Sequence, residues 1–428
     1  MSHPSQILTE VVAVALQPDD NRPGPTGPSG LSNPTDPARA GITPVHATPE
    51  RSSTMDTHSE LSTATAHPTL TPVTDPMTVT WAPKRTADGA LTVVHSDDYA
   101  GWVFDASHPT QGRRFMNARD LVLAHAAESG VRVTQLESDL LPAFSTMQLA
   151  HTAEYVESVV LGGESGEWNG SRPDLGRLAL QVAGGTILAL DSLLSGETMT
   201  AVHFAGAKHH AMRDRSSGFC VFADFAIAAK LAMSRTRVMQ TPRGTFRVPM
   251  RVAILDIDAH HGDGTERLTS DDDRILTMSV HDRSIFPGTG RGDDPASHVY
   301  NTPLEPGSGD EQLADAAAYF VGLCERFNPD LIMIAAGADG LDGDPLSTLT
   351  YTIEGLEYAV RYVRRGFRDL PMLIGGAGGY RPDDLTPRAW ARMAVAAALP
   401  VGDHERTWSD LGDCDYELDP EDLEEHRT

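Results

Sequence analysis

Asp256-Ile257-Asp258-Ala259-His260-His261-Gly262-Asp263-Gly264-Thr265 is the stretch of this chain richest in groups that can do chemistry. It follows the apolar run Val252-Ala253-Ile254-Leu255, which reads as a buried strand. Side chains alternate along a strand, so Asp256, Asp258 and His260 are expected on one side at its carboxyl end. Two carboxylates and an imidazole brought together out of water are costly unless a cation binds them. Asp258, His260 and Asp339, the last in Gly337-Ala338-Asp339-Gly340, would supply one nitrogen and two oxygens and leave a position open for water. That is the donor set of a catalytic rather than a structural metal, one that acidifies its water toward pH ~7. The tandem pair His209-His210 offers the acid and base. Tyr380, closing the run Gly375-Gly376-Ala377-Gly378-Gly379, offers a hydroxyl for a developing oxyanion.

These groups must be delivered by the elements that precede them. Apolar strand candidates recur at 91–95, 199–204, 252–258, 275–280, 331–336 and 371–374, and helical patterns occupy 178–194, 312–327 and 353–367. Near-continuous apolar strands separated by helices predict an α/β fold: a single domain with a mostly parallel central β-sheet flanked by helices on both faces. In open sheets of this kind ligands gather at the carboxyl ends of the strands, where the glycine-rich motifs stand. The predicted domain spans 84–400. Residues 1–80, rich in Pro, Ser and Thr, are expected to form a disordered tail, and Met77 stands as an alternative start just ahead of the first regular structure. Residues 401–428 carry eleven Asp or Glu against two Arg and are expected to be an acidic flexible tail.

Taken together, the DIDAHHGDGT run, HHA followed by Ser217-Gly218-Phe219-Cys220, Phe286-Pro287-Gly288-Thr289-Gly290, Gly337-Ala338-Asp339 and the final glycine run ending in Tyr380 resemble the zinc-dependent histone deacetylase family of the arginase/deacetylase superfamily. The resemblance covers about residues 91–400 and is nearest to the bacterial acetoin-utilisation deacetylases. It implies the arginase/deacetylase fold, with Zn²⁺ on Asp258, His260 and Asp339. It makes His209 and His210 the acid/base pair, oriented by Asp256 and Asp263 respectively, with Tyr380 as the oxyanion donor. Gly218 and Phe219 on one side and Phe286 on the other would clamp an acyl-lysine stem, with Cys220 near the channel floor. Asp256, the backbone carbonyls of Asp258 and His260, and the Ser279 hydroxyl would hold a monovalent cation, K⁺. Arg114 would stand near an internal acetate channel, with Arg113 as its neighbouring alternative. Glu164, Glu167 and Asp174 are the candidates for an acidic residue on the channel rim. Phe222 and Ala223 replace the more usual Tyr-Asn before Asp224, and Ala377 stands where a fourth glycine is typical.

The implied reaction is hydrolysis of acetyl-lysine, in a protein or as a small-molecule amide, to a free amine and acetate. Acetylpolyamine amidohydrolase is the runner-up, and a catalytically reduced acyl-lysine-binding module is the rival of a different class. A dimanganese arginase-type site would need further carboxylates at 262 and 337, where Gly262 and Gly337 stand. Nitrogen and oxygen donors accept Fe²⁺ as well as Zn²⁺.

Composition narrows the partners. A formal charge of −26 argues against nucleic acid, whose phosphates need clustered Lys and Arg, and against anionic lipid. No run reaches the ~18–20 apolar residues expected of a membrane span, and the apolar stretch 7–16 lacks the basic flank of a secretory signal. Cys220, Cys324 and Cys414 form neither a disulfide framework nor a metal knuckle, which suggests a reducing cytoplasm.

Overall fold

The computed structural model describes residues 71–72, 80–81, 89–241 and 244–401. In chain order the strands are β1 (Thr71–Pro72), β2 (Thr80–Trp81), β3 (Ala90–His95), β4 (Arg132–Glu137), β5 (Thr200–His203), β6 (Thr236–Thr241), β7 (Gly244–Pro249), β8 (Val252–Asp256), β9 (Ile275–Asp282), β10 (Val299–Leu304), β11 (Leu331–Ala335) and β12 (Met372–Gly375). The helices are α1 (Arg113–Glu128), α2 (Phe144–Met147), α3 (Ala153–Val160), α4 (Pro173–Leu194), α5 (Asp224–Met233), α6 (Asp263–Thr269), α7 (Asp310–Phe327), α8 (Ile353–Gly366) and α9 (Leu385–Ala398).

Eight strands form one sheet in the order β10-β9-β8-β11-β12-β5-β3-β4, and every pairing in it is parallel. The period-two pattern explains why it is covered on both sides. Val252 and Ile254 of β8, with Leu331 and Met333 of β11, share a core with Leu190 and Leu193 of α4 and Ala228 and Ala232 of α5. The alternate residues Ala253, Leu255, Ile332 and Ile334 pack instead with Val122 of α1, Phe320 of α7, Leu356 of α8 and Met393 of α9. Each Val, Leu, Ile, Phe or Met among them contributes roughly 1.5–3 kcal/mol when fully buried, so both faces of the central strands stabilise the sheet.

The sequence-derived α/β class is the one observed, while several boundaries and elements differ. β8 stops at Asp256, not 258, so the loop rather than strand alternation places Asp258 and His260. β4, β10, α1, α5 and α9 had no counterpart in the pattern reading. β6 and β7 form a hairpin whose edges pair with β2 and β1; β1 and Thr80 of β2 fall within the stretch 1–80 read as a tail. The rest of 1–80, Met77 included, and residues 402–428 lie outside the described residues. One expectation needs correction: α4 is long and apolar enough to cross a membrane, but 78% of its most apolar window is buried within the protein. It is a core helix whose apolarity comes from contacting several strands and α5.

Candidate active site

Five adjacent strands, β9-β8-β11-β12-β5, end at the same edge of the sheet, and their exits carry the chemistry-bearing residues. After β8, Ile257 N–H continues the ladder to Ala335 C=O at 3.0 Å. The chain then turns, with Asp258 Oδ1 accepting the His260 N–H at 2.9 Å. From the exit of β11, Asp339 Oδ1 accepts the Ala259 N–H at 2.8 Å. From the exit of β12, the Gly378 N–H donates to Asp258 Oδ2 at 2.5 Å. These backbone bonds clamp Asp258, His260 and Asp339 so that one candidate ligand atom from each lies within 4.8 Å of the others, all three residues being buried.

The electrostatics of this cluster call for a cation. His260 Nδ1 stands 3.1 Å from Asp258 and 2.9 Å from Asp339. Burial, then repulsion from Asp258, pushes the Asp339 carboxyl up to about 6. Burial acts the same way on Asp258, but His209 and His260 outweigh it and hold that carboxyl well below its ordinary value. Two buried carboxylates and one imidazole are a fitting donor set for a divalent ion with an open position. Side chains for a second ion have no room. A Cβ at Gly262 would lie 2.2 Å from Asp256 Oδ2, and one at Gly337 would lie 2.4 Å from the Asp258 Cα.

Beside the cluster, the exit of β5 presents two histidines, each backed by an acid. His209 Nδ1–H donates to Asp256 at 2.7 Å, and His210 Nδ1–H donates to Asp263, the first residue of α6, at 2.7 Å. Their environments separate them. Burial would lower His209, but Asp256 and Asp258 overcome it and raise its pKa to about 9. Burial and the neighbouring His209 charge lower His210 to about 3 against the pull of Asp263. His209 is therefore the ring held toward the charged form and His210 the ring held toward the neutral one. The exit itself is fixed by Asp224, whose carboxylate accepts the Ala207 and Lys208 N–H groups at 2.9 and 2.7 Å and the Thr186 hydroxyl at 2.5 Å.

The remaining predicted residues surround these groups. The Tyr380 ring lies edge-on to His260, with centroids 6.4 Å apart, and its N–H is held by Asp344 at 2.8 Å. Burial, then Asp339 and Asp258, raises its hydroxyl well above the ordinary value, so it stays protonated. Ala377 takes a left-handed φ of 53° and is tied by its N–H to Gly206 C=O at 3.1 Å. The loop thus adopts with alanine a conformation that glycine takes more cheaply. Phe286, 50% exposed, meets His210 edge-on at 5.0 Å, while Phe219 meets Tyr380 at 6.0 Å. Gly218 lies between His210 and Phe286. Cys220 is buried in the same loop. Ser279 stands opposite Asp256 in the β8–β9 register.

Of the three rim candidates, Glu167 Oε2 accepts the Phe219 N–H at 2.9 Å. Glu164 instead accepts from Ser158, and Asp174 pairs with Arg172. Arg114 is buried and donates to Gly379 C=O at 2.6 Å beside the Tyr380 ring, whereas Arg113 pairs with Asp383 at the surface. Pattern reasoning missed Asp344, His108 and the inward role of Lys208. His108 packs against Phe219 at 4.4 Å. Asp344 had a faint signal, an acid five residues beyond Asp339 in a Gly-Asp-Pro turn, while His108 had none.

The histone deacetylase domain family matches residues 49–397, well over half of the chain. Among curated proteins, the acetoin utilization protein AcuC of Bacillus subtilis (strain 168) is 30% identical over 325 residues, 70% of this chain and 80% of that protein. AcuC of Staphylococcus aureus (strain Mu50 / ATCC 700699) is 29% identical over 330 residues, with 71% and 80% covered. Histone deacetylase 8 of Xenopus laevis is 34% identical over 239 residues, with 52% and 66% covered. With the β-strand exits, the cation-ready triad and the family match agreeing, the chain belongs to the histone deacetylase family of hydrolases.

Proposed function

We propose that this chain is a metal-dependent deacetylase that hydrolyses acetyl-lysine, in a protein or a small amide, to the free amine and acetate. The observation that carries the reading is the juxtaposition of the Asp258, His260 and Asp339 cluster with a histidine pair in which each ring is backed by its own carboxylate. An acyl-lysine-binding module would have no use for the second arrangement. Asp258, His260 and Asp339 would hold Zn²⁺, with Fe²⁺ compatible with the same donors. When bound, the ion would polarise the amide carbonyl and acidify a water. Asp256 and Ser279, with the backbone carbonyls of Asp258 and His260, would hold K⁺.

The chain's own groups then have separable tasks. Gly218, Phe219 and Phe286 clamp the aliphatic stem, leaving its amide beside His210 and Tyr380. Neutral His210 takes a proton from the attacking water at Nε2 and returns it to the leaving nitrogen. His209, already charged and held by Asp256, stabilises negative charge as it develops. The Tyr380 hydroxyl, protonated because its surroundings disfavour the phenolate, donates to the carbonyl oxygen as that oxygen becomes anionic. The buried free thiols Cys220 and Cys324 accord with work in a reducing compartment such as the cytoplasm.

Tyr380→Phe tests the reading. Zinc content should stay near normal while turnover of an acetyl-lysine peptide falls at least ~tenfold, as for other lost oxyanion donors. Unchanged turnover would remove the tyrosine from the reaction.

A further inference from the structure

Lys208 immediately precedes the histidine pair, yet the reaction described above gives its side chain no task. It is 4% exposed. Its ammonium rests 5.9 Å from the Trp102 ring centroid and 5.5 Å from that of Phe115. Its backbone N–H donates to Asp224, but its ammonium has no hydrogen-bond or ion-pair partner among the described residues. The guanidinium of Arg114, 2% exposed, lies 5.0 Å from the same Phe115 ring, and its Nε is buried without a partner. Two buried cations therefore share one aromatic ring, each with donors left over. Burial first, and the Arg114 charge next, pull the lysine pKa down to about 8. Aromatic faces compensate only part of the cost of such a charge. Asp224 and Asp258 attract Lys208, and Asp339, Asp258 and Asp344 attract Arg114, but among the described residues no carboxylate pairs directly with either cation.

Position says where a directly paired anion would come from. Arg114 lies behind the Tyr380 ring, 5.6 Å from its centroid, and is bonded to Gly379. Lys208 directly precedes His209 in the chain, and its ammonium is attracted by the Asp224 and Asp258 carboxylates, while the buried Cys220 thiol is pushed up and stays neutral. The exposed Phe286 marks the opposite, outer side of His210. A substrate entering past Phe286 with its amide at Tyr380 must point its acyl substituent inward, toward these two cations. We propose that Lys208 and Arg114 form a carboxylate-binding floor beneath the acyl group, so that the enzyme prefers lysine acylated with a dicarboxylic acid, of the succinyl class, over neutral acyl groups of the same length. The proposal rests on the deacylase reading above and specifies its substrate. The chemistry is the same hydrolysis. The acyl C–N bond breaks, the water oxygen joins the acyl carbon, one water proton goes to the leaving amine, and the products are the free lysine and a dicarboxylate.

The test uses the full-length, zinc-loaded enzyme, one peptide carrying acetyl-, butyryl- or succinyl-lysine, and the variants Lys208→Met and Lys208→Arg. The wild type should show kcat/KM for succinyl-lysine at least ~tenfold above butyryl-lysine, the scale of one charge-assisted hydrogen bond. Lys208→Met should abolish that preference and Lys208→Arg should keep most of it. Succinate should raise the melting temperature of the wild type but not that of Lys208→Met, a readout independent of turnover. If acetyl-lysine is hydrolysed while succinyl-lysine is not preferred and Lys208→Met leaves the ratio alone, the carboxylate floor is refuted and the deacetylase reading survives. If acetate but not succinate stabilises the protein through Lys208, the cations serve the departing product and the proposal is overturned. If no acyl group is removed by the zinc-loaded enzyme, the deacylase reading itself fails.

Discussion

His151 illustrates how one uncharged residue supports the site from outside it. Its Nδ1–H donates to Met212 C=O, and its Nε2 accepts the Ala223 N–H, both at 2.9 Å. It therefore pins both ends of the loop that carries Gly218, Phe219 and Cys220. Burial lowers its pKa to about 4 against the pull of the Met212 carbonyl, and a second proton, on Nε2, would also displace the Ala223 N–H. His203, bonded to Thr186 and Tyr99, is likewise lowered to about 3, by burial and then by Lys208. The sign is that of a depressed group. The unfolded chain takes up protons near pH 6.5 while the folded one does not, so stability is full above about 6.5 and is lost as pH falls toward 4. At pH 4 His151 alone accounts for a loss on the order of 3 kcal/mol. His151→Gln keeps a donor and an acceptor but cannot titrate. Its urea midpoint should fall less steeply from pH 7.5 to 4.5 than the wild type's, and parallel curves would refute the argument.

At the scale of elements, the strand exits matter more than the strands. Asp224 begins α5 and gathers the Ala207 and Lys208 N–H groups and the Thr186 hydroxyl. One carboxylate thus joins α4, α5 and the exit of β5 ahead of the histidines. Asp224→Asn would turn an amide N–H toward at least one of these donors. Expected are a destabilisation of about 2–4 kcal/mol, from unsatisfied buried groups, and a fall in turnover as the histidine pair loses its seat. A melting temperature and turnover both at the wild-type level would show that the exit is held by something else. The apolar runs of β8, β9, β11 and β12 were legible in the sequence because strands buried on both faces have an unbroken hydrophobic signature. β4 was not, since Arg132–Glu137 lies at the sheet edge and all of its residues are exposed or half-buried. α1 escaped as well: Arg113–Glu128 mixes charges with a buried Arg114, which no amphipathic pattern anticipates. The motif residues could be named from the sequence, but the pairing of His151, Asp224 and Asp344 with distant backbone depends on tertiary approach that local pattern does not encode.

At the scale of the whole molecule, one parallel sheet brings residues from positions 209 to 380 to a common edge. Although the chain carries a formal charge of −26, the carboxylates that matter at that edge, Asp256, Asp258 and Asp339, are buried, as are Lys208 and Arg114. On the proposed mechanism, catalysis would depend on a single divalent ion held by Asp258, His260 and Asp339, the described residues that could hold one. The most direct measurement is metal content against turnover. The purified chain and its Asp339→Asn variant would be stripped with chelator and titrated with Zn²⁺ while acetyl-lysine hydrolysis is followed. The chain should bind about one ion, since a catalytic site of this donor set takes one, lose activity on stripping and regain it at that stoichiometry. Asp339→Asn should bind at least ~tenfold more weakly and stay inactive. Hydrolysis that persists in the stripped protein, or an Asp339→Asn variant that binds and works like the wild type, would contradict the account.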